Sequence, residues 1–196
     1  MNKGRLEAFS DGVMAILITI MVLELDVPHG TGWDALQPLL PAIIAYVLSF
    51  VVIGIYWNNH HHMLHAAERV NGRILWANLH LLFWLSLIPF TTAWMGENGF
   101  ASLPTAAYGF ILVMCAVAYT VLQRSIVKHQ GPHSPLAAAV GGNRKEKISL
   151  ALYIAAVPLA FVHPGISLAI YAFVVLMWLV PDPRIEAVLD GASSRT

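Results

Sequence analysis

The sequence is short of charge and nearly without cysteine. Of its 196 residues only 11% are charged, basic and acidic side chains are equal in number, and the net charge is zero. A soluble domain usually has about 25% charged residues, so this composition excludes an ordinary soluble domain. A neutral chain also gives no general reason to expect nucleic-acid binding. The single cysteine, Cys115, excludes an intramolecular disulfide and is expected to be a buried apolar side chain.

Motifs for catalysis and for nucleotide binding are missing as well. We find no nucleophile paired with a base. Gly141 and Gly142 lie in a polar loop with no strand pattern before them, which does not fit a phosphate-binding loop. The sequence therefore predicts a protein that is not an enzyme and that uses no cofactor.

What the sequence has in abundance is long apolar runs. It is 58% hydrophobic, with a mean hydropathy of +0.67. A helix needs ~20 mostly apolar residues to cross a bilayer. We therefore predict an all-α integral membrane protein, a single transmembrane domain over residues 1–196. Its six transmembrane helices are expected at about 7–27, 36–57, 74–95, 103–123, 148–162 and 166–180.

Proline positions refine this prediction. Pro89 is expected to kink the third helix, with Thr91 and Thr92 satisfying the carbonyls that the kink frees. The last two helices are short, so one long bent span in their place, giving five in all, is the alternative topology.

The distribution of basic residues favours six spans. With six, all 11 Lys and Arg residues fall on one side of the membrane, and the opposite loops carry Asp26, Asp34 and Glu97. Cytoplasmic loops are enriched in Lys and Arg, so both termini are predicted to be cytoplasmic. Five spans would place Arg184 and Arg195 outside.

A polar motif, RLEAFSD, occupies the start of the first predicted helix, from Arg5 to Asp11. An ionised carboxylate within a membrane helix costs ~2.5–3.5 kcal/mol on insertion scales, so Asp11 should face protein and have a partner. Phe9 and Ser10 are expected in the same cluster. Candidate partners at this depth are Arg5, Trp57, Asn58, Asn59, Asn78 and His80.

The apolar residues after the motif share one helix face. At ~100° per residue, Ile20, Leu23 and Val27 fall within about 40° of Ile16, and Thr19 lies about 60° to one side. Most faces of a membrane helix are apolar, so this pattern does not by itself indicate a pore.

The motif R-x-x-x-F-S-D at the mouth of a first membrane helix resembles the signature of the transmembrane protein 175 family. The segments YWNNHHHMLH and LWANLHLLFWLSLIPFTT extend the resemblance over most of the chain. Members of that family are potassium-permeable channels of bacteria, archaea and animal endolysosomes.

The resemblance implies a homotetramer in the cell membrane, with four first helices around a central pore that passes potassium and other monovalent cations. This chain, like the family, has no TVGYG filter. The implied constriction consists of aliphatic rings and a hydroxyl layer, carried here by Ile16, Thr19, Ile20 and Leu23. The implied packing and hydrogen-bonding network that fixes the pore helix consists of Arg5, Phe9, Ser10, Asp11, Asn78 and His80.

Two other functions are open at this stage. A proton-coupled secondary transporter would use Asp11 and His80 as its carrier pair. A membrane enzyme would need a metal at the histidine cluster 60–65, where His61 and His65 have a spacing that can hold zinc and Glu68 is the nearby carboxylate. We predict no metal there, and expect one or two of these histidines to bond to the first-helix motif instead.

Overall fold

The structure, a computed structural model, describes residues 3–67, 69–131, 134, 136–137 and 144–179. The described residues contain α-helices and one 3-10 turn, at Gln37–Leu39, but no strand. The helices in chain order are α1 Lys3–Leu23, α2 Trp33–Leu36, α3 Leu40–His65, α4 Gly72–Leu85, α5 Ile88–Glu97, α6 Ser102–Gln130, α7 Arg144–Leu159 and α8 Pro164–Leu179.

Four helical segments in the described part of the chain are long and apolar enough to cross a membrane. They are Lys3–Leu23, Trp33–His65, Gly72–Glu97 and Ser102–Gln130. The last two helices have 16 residues each, fewer than a usual span. The chain is thus a multi-pass, all-helical membrane protein over the residues described.

The helix ends differ from the predicted span ends. α1 stops at Leu23, which leaves Val27 outside the helix, whereas α3 continues through the whole histidine run to His65 and α6 reaches Gln130. Hydropathy marks where a helix leaves the apolar layer. A helix continues into the polar region for as long as its backbone bonds are satisfied, so the two boundaries need not coincide.

The kink predicted in the third helix at Pro89 is found as a break between two helices. α4 ends at Leu85, α5 begins at Ile88, and Pro89 lies in the first turn of α5, where its missing N–H is tolerated. Thr91 donates its hydroxyl proton to the Leu87 and Ile88 carbonyls at 3.1 and 3.2 Å. Both carbonyls belong to the first turn of α5, and that of Leu87 also accepts the Thr91 backbone N–H at 3.2 Å. These bonds therefore add to those of α5, and neither reaches the carbonyl of Leu85, which loses its donor at Pro89.

A buried polar line follows this break into the centre of the bundle. Thr92 Oγ1 lies 2.6 Å from Ser49 Oγ, and Ser49 donates to Tyr108 OH at 3.0 Å. All three side chains are buried. These bonds join α5, α3 and α6 at one depth, so they fix the helices against sliding.

Close contact between α6 and α8 depends on one glycine. Tyr171 is fully buried and donates its hydroxyl to the Thr105 carbonyl at 3.0 Å. A methyl group at Gly109 would overlap that hydroxyl. Gly109 therefore lets the Tyr171 ring lie directly on the backbone of α6.

The helix α1 lies at the edge of the bundle. It packs against α3 and, less extensively, against α5 and α4, whereas α6 is flanked by α4 and α7. About 28% of its apolar stretch is buried, which is close to the 22% of Trp33–His65 and well below the 50% of Gly72–Glu97 and of α6. Much of α1 is therefore left uncovered by its own chain.

Three hydrogen bonds gather helix ends at one side of the bundle. Lys3 Nζ donates to the His65 carbonyl at 2.8 Å, which places the start of α1 beside the end of α3. Gln130 Nε2 donates to the Ala66 carbonyl at 3.2 Å, and Asn71 bonds His129 at 3.1 Å. The start of α4 and the end of α6 thus lie at that same side.

Candidate functional site

The edge helix α1 has two faces of different character. Its buried face packs on α3, α4 and α5 and consists of Leu6, Ser10, Met14, Leu17 and Met21. The four residues predicted to form a constriction all lie on the exposed side: Ile16 is 56% exposed, Ile20 39% and Leu23 79%, and Thr19 is exposed as well. An apolar face of this kind needs a covering by lipid or by another subunit.

Thr19 uses its proton within its own helix. Its Oγ1 donates to the carbonyls of Ala15 and Ile16, at 3.1 and 3.0 Å. A hydroxyl has one proton and two lone pairs, so the oxygen of Thr19 remains free to accept. Its exposed surface can therefore offer an oxygen ligand to a cation.

The buried face of α1 carries a three-residue hydrogen-bonded chain. Asn78 Nδ2 donates to Ser10 Oγ at 2.9 Å, and Ser10 in turn donates to the Leu6 carbonyl. On its other side, Asn78 Oδ1 lies 2.7 Å from His60 Nε2. Because a carbonyl oxygen only accepts, His60 carries its proton on Nε2. Ser10, Asn78 and His60 are all buried, so this chain fastens α1 to α4 and α3 at one register.

His60 takes the place that the sequence assigned to His80, and the assignment of His80 to this cluster is wrong. Asn78 and His80 are two residues apart on α4, which puts them on opposite faces of a helix. His80 is exposed and accepts a hydrogen bond from Trp84 Nε1 at 2.9 Å. The spacing of residues along α3 could have identified His60, because His60 continues the buried series Ala45, Ser49, Ile53.

Asp11 finds a partner on α3. Trp57 Nε1 donates to Asp11 Oδ1 at 3.0 Å, and both side chains are partly exposed. Arg5 and Phe9, which were expected to pack into the same cluster, are exposed instead, with Phe9 52% exposed. On a helical wheel both fall within about 20° of Ile16, so they belong to the uncovered face of α1.

The transporter hypothesis required Asp11 and His80 to act together. In the structure they lie on different helices, and each is bonded to its own tryptophan. The structure therefore does not bring this carrier pair together.

Two other histidines of the cluster 60–65, His61 and His65, stack their rings along α3. His61 stacks on Trp57 with centroids 6.0 Å apart and on His65 at 6.3 Å. Within the described ranges no three His, Cys, Asp or Glu side chains are close enough to hold a metal ion. Glu68, the carboxylate considered for such a site, lies outside the residues that the structure describes.

A half-buried carboxylate at the start of α7 was not anticipated from the sequence. Gln123 Nε2 on α6 donates to Glu146 Oε1 at 2.8 Å. Glu146 precedes the predicted fifth span by two residues. Burial raises its pKa, while the Gln123 hydrogen bond and the positive charge of Arg124 act in the opposite direction.

Comparison with known proteins finds relatives of this chain. The family model described as "Endosomal/lysosomal potassium channel TMEM175" matches residues 5–89, which include α1, α3, α4 and the polar chain between them. A potassium channel of Chryseobacterium sp. (strain P1-3) is 54% identical over 186 residues, covering 95% of this chain and 97% of that protein. A potassium channel of Streptomyces collinus is 35% identical, covering 95% of this chain and 97% of that one.

A solved structure agrees with these sequences. It is the crystal structure of a protein described as a lysosomal potassium-selective channel TMEM175 homologue from Chamaesiphon minutus. Its TM-score is 0.76 at 27% identity, over 91% of this chain and 96% of that one. Since a relative more than half identical is matched along almost its whole length, and since the family model covers the motif RLEAFSD, this chain belongs to the TMEM175 family.

Proposed function

We propose that this protein is a potassium-permeable cation channel of the cell membrane, with all 196 residues forming one channel domain. Relatives that are 54% and 35% identical over nearly the whole chain are named potassium channels. The observation that carries the proposal in this chain itself is the uncovered apolar face of α1, on which Ile16, Ile20 and Leu23 are exposed.

A homotetramer would cover that face. Placing α1 at the edge of the bundle leaves it available to four subunits around one axis. Each subunit would then contribute one α1 to the pore. The buried chain from Ser10 through Asn78 to His60 would set the rotation of α1 that directs Ile16 toward the axis.

The constriction would be formed by successive layers of Ile16, Thr19, Ile20 and Leu23. Rings of aliphatic side chains close a pore by dewetting, without the carbonyl filter of TVGYG channels. An aliphatic ring returns nothing to a dehydrated ion, so selectivity for potassium over sodium should be modest. The free lone pairs of the Thr19 hydroxyls would add weak coordination within this stack.

Both termini are proposed to be cytoplasmic, with six membrane crossings in all. The start of α1 and the ends of α3 and α6 lie at one side of the bundle, and these ends carry basic residues such as Lys3 and Lys128. Clusters of Lys and Arg are retained on the cytoplasmic side. Arg184 and Arg195, which support the sixth crossing in the sequence, lie outside the described residues.

Single-channel recording tests the proposal. The purified protein in a planar bilayer, with potassium on one side and sodium on the other, should pass current with a reversal potential that favours potassium. Absence of any cation current from folded, reconstituted protein would contradict it.

A substitution tests the constriction separately. Ile16→Asn should raise conductance and weaken discrimination between potassium and sodium, because a polar ring stays wet. The matched control is Ile154→Asn on α7, an equally exposed isoleucine (55%) far along the chain, which should leave selectivity unchanged. Currents of Ile16→Asn identical to those of the parent would remove Ile16 from the gate.

A further inference from the structure

A cavity lies between α3, α6, α7 and α8, away from the face of α1 proposed to line the pore. The cavity has a volume of about 60 Å³. That is enough room for several waters. Four aromatic side chains line it, together with one carboxylate and one amide: Tyr56, Tyr119, Tyr153, Trp178, Glu146 and Asn59.

Some of the polar protons around this cavity are already used within the protein, whereas, among the residues described, the hydroxyls of Tyr56 and Tyr153 on the wall are not. Trp178 Nε1 donates to Ser149 Oγ at 2.8 Å, and Ser149 donates to the Lys145 carbonyl. Asn59 Nδ2 donates to the Ile55 carbonyl at 2.8 Å.

Hydrogen-bond acceptors are also available on the cavity wall. The Oε1 of Glu146 accepts a hydrogen bond from the neutral amide of Gln123. The other carboxylate oxygen of Glu146 can accept a hydrogen bond from a ligand. The Oδ1 of Asn59 is a second acceptor on the wall, since its amide nitrogen is the atom that bonds Ile55. The carboxylate among these acceptors favours a positively charged ligand.

Aromatic side chains decide which kind of cation fits. Tyrosine and tryptophan rings attract a cation within ~6 Å of the ring centroid, and aromatic cages of this composition are the usual site for quaternary ammonium groups. A quaternary nitrogen with its four carbon neighbours takes the place of several waters. A hydrated metal ion would instead have to replace its water shell with aromatic carbon.

We propose that this cavity is a binding site for a small organic ammonium group, with Glu146 facing the charge and the rings of Tyr119, Tyr153 and Trp178 surrounding its alkyl groups. The ligand is either a free quaternary amine or the headgroup of a lipid, because the chemistry that recognises both is the same. The site is independent of the proposed channel function, since it is defined by binding alone.

Choline and its neutral isostere 3,3-dimethylbutan-1-ol test this assignment, because the two have the same shape and differ in charge. Isothermal titration calorimetry on the full-length protein in phosphatidylglycerol nanodiscs, at constant ionic strength, should show choline binding at least about tenfold tighter than the alcohol. Equal binding of the two compounds, or no binding of choline, would overturn the proposal.

Two variants and a control connect the binding to this cavity. Glu146→Gln keeps the shape and removes the charge, and should weaken choline binding by about tenfold or more. Ala116→Leu fills the cavity from α6 and should abolish binding even if Glu146→Gln fails to fold. Glu97→Gln, an exposed carboxyl at the end of α5, should bind like the parent. Full binding by either cavity variant would refute the site.

The source of the ligand follows from the lipid. If choline binds equally well in phosphatidylcholine and phosphatidylglycerol nanodiscs, the site takes a free amine from solution. If phosphatidylcholine weakens choline binding, a lipid headgroup already occupies it. Both results support an ammonium site, and they differ in which molecule fills it.

Discussion

Asn78 Nδ2 donates a hydrogen bond to Ser10 Oγ at 2.9 Å, across the buried contact between α4 and α1. Both residues are completely buried, and Asn78 also bonds the buried His60. A polar chain of this kind has only one register in which every member is satisfied. It therefore determines how α1 is rotated, and through that rotation which side of α1 stays uncovered.

Removing the acceptor of that bond should loosen α1. Ser10→Ala leaves the Asn78 amide without its acceptor in a buried site, which costs about 1–3 kcal/mol. We expect a melting temperature several degrees lower in a detergent-solubilised thermal denaturation. Ser86→Ala is the matched control, because Ser86 is exposed and bonds only its own helix at Phe83. Equal melting temperatures for both variants would show that the buried chain does not stabilise the fold.

The bond between Trp57 and Asp11 should also contribute, though less. Trp57→Phe removes the N–H donor and keeps most of the ring. Because both partners are partly exposed, we expect a loss of about 1 kcal/mol, below the ~1.5–3 kcal/mol typical of a bond to a charged group.

A double-mutant cycle with Asp11→Ala measures that interaction directly. The two losses should be less than additive, since either change breaks the same bond. Trp33→Phe, on an exposed tryptophan of α2, serves as control. Strict additivity of Trp57→Phe and Asp11→Ala would contradict the bond.

Gly109 should tolerate no side chain while Tyr171 is present. Gly109→Ala forces a methyl group into the buried Tyr171 hydroxyl, and overpacking of this kind typically costs about 1–3 kcal/mol. The loss should appear as a lower melting temperature. Gly54→Ala, with open space around the added carbon, should be close to neutral.

Removing the overlapping hydroxyl should rescue part of that loss. Tyr171→Phe alone gives up the bond to the Thr105 carbonyl, but in combination with Gly109→Ala it relieves the clash. The double variant is therefore expected to have a higher melting temperature than the sum of the two single losses predicts. A double variant no more stable than additivity predicts would show that the hydroxyl is not the obstacle.

Glu146 should make stability depend on pH. Its pKa in the folded protein is raised above 4.5 by burial, so the folded state holds the proton more tightly than the unfolded chain does. That stability is fully present below about pH 4.5 and is lost as the pH rises through the raised pKa. Glu146→Gln has no such dependence, so its melting temperature relative to the parent should increase from pH 4 upward.

Melting temperatures of both proteins between pH 4 and 8 measure this difference. Glu97→Gln accounts for the general effect of losing one exposed carboxyl. If the melting temperature of Glu146→Gln relative to the parent falls as the pH rises, burial does not raise the pKa of Glu146.

Much of the helical plan could be predicted from the sequence, because it depends on local properties. Runs of apolar residues located the long membrane helices, and Pro89 located the break between α4 and α5, since proline cannot continue the backbone bonding of a helix. Periodicity also placed Ile16, Thr19, Ile20 and Leu23 on one side of α1, where the structure leaves all four exposed.

What remained undecided were choices between neighbouring helices. Sequence alone offered His80 and one or two unspecified histidines of the cluster 60–65 as partners for the first-helix motif. Only the packing of α3 against α1 and α4 selected His60, because that packing turns Asn78 inward and His80 outward. The carboxylate of Glu146 became part of a cavity only because α6, α7 and α8 close around it. Hydropathy and periodicity are properties of one helix at a time, whereas a buried hydrogen bond is settled by which helix lies opposite.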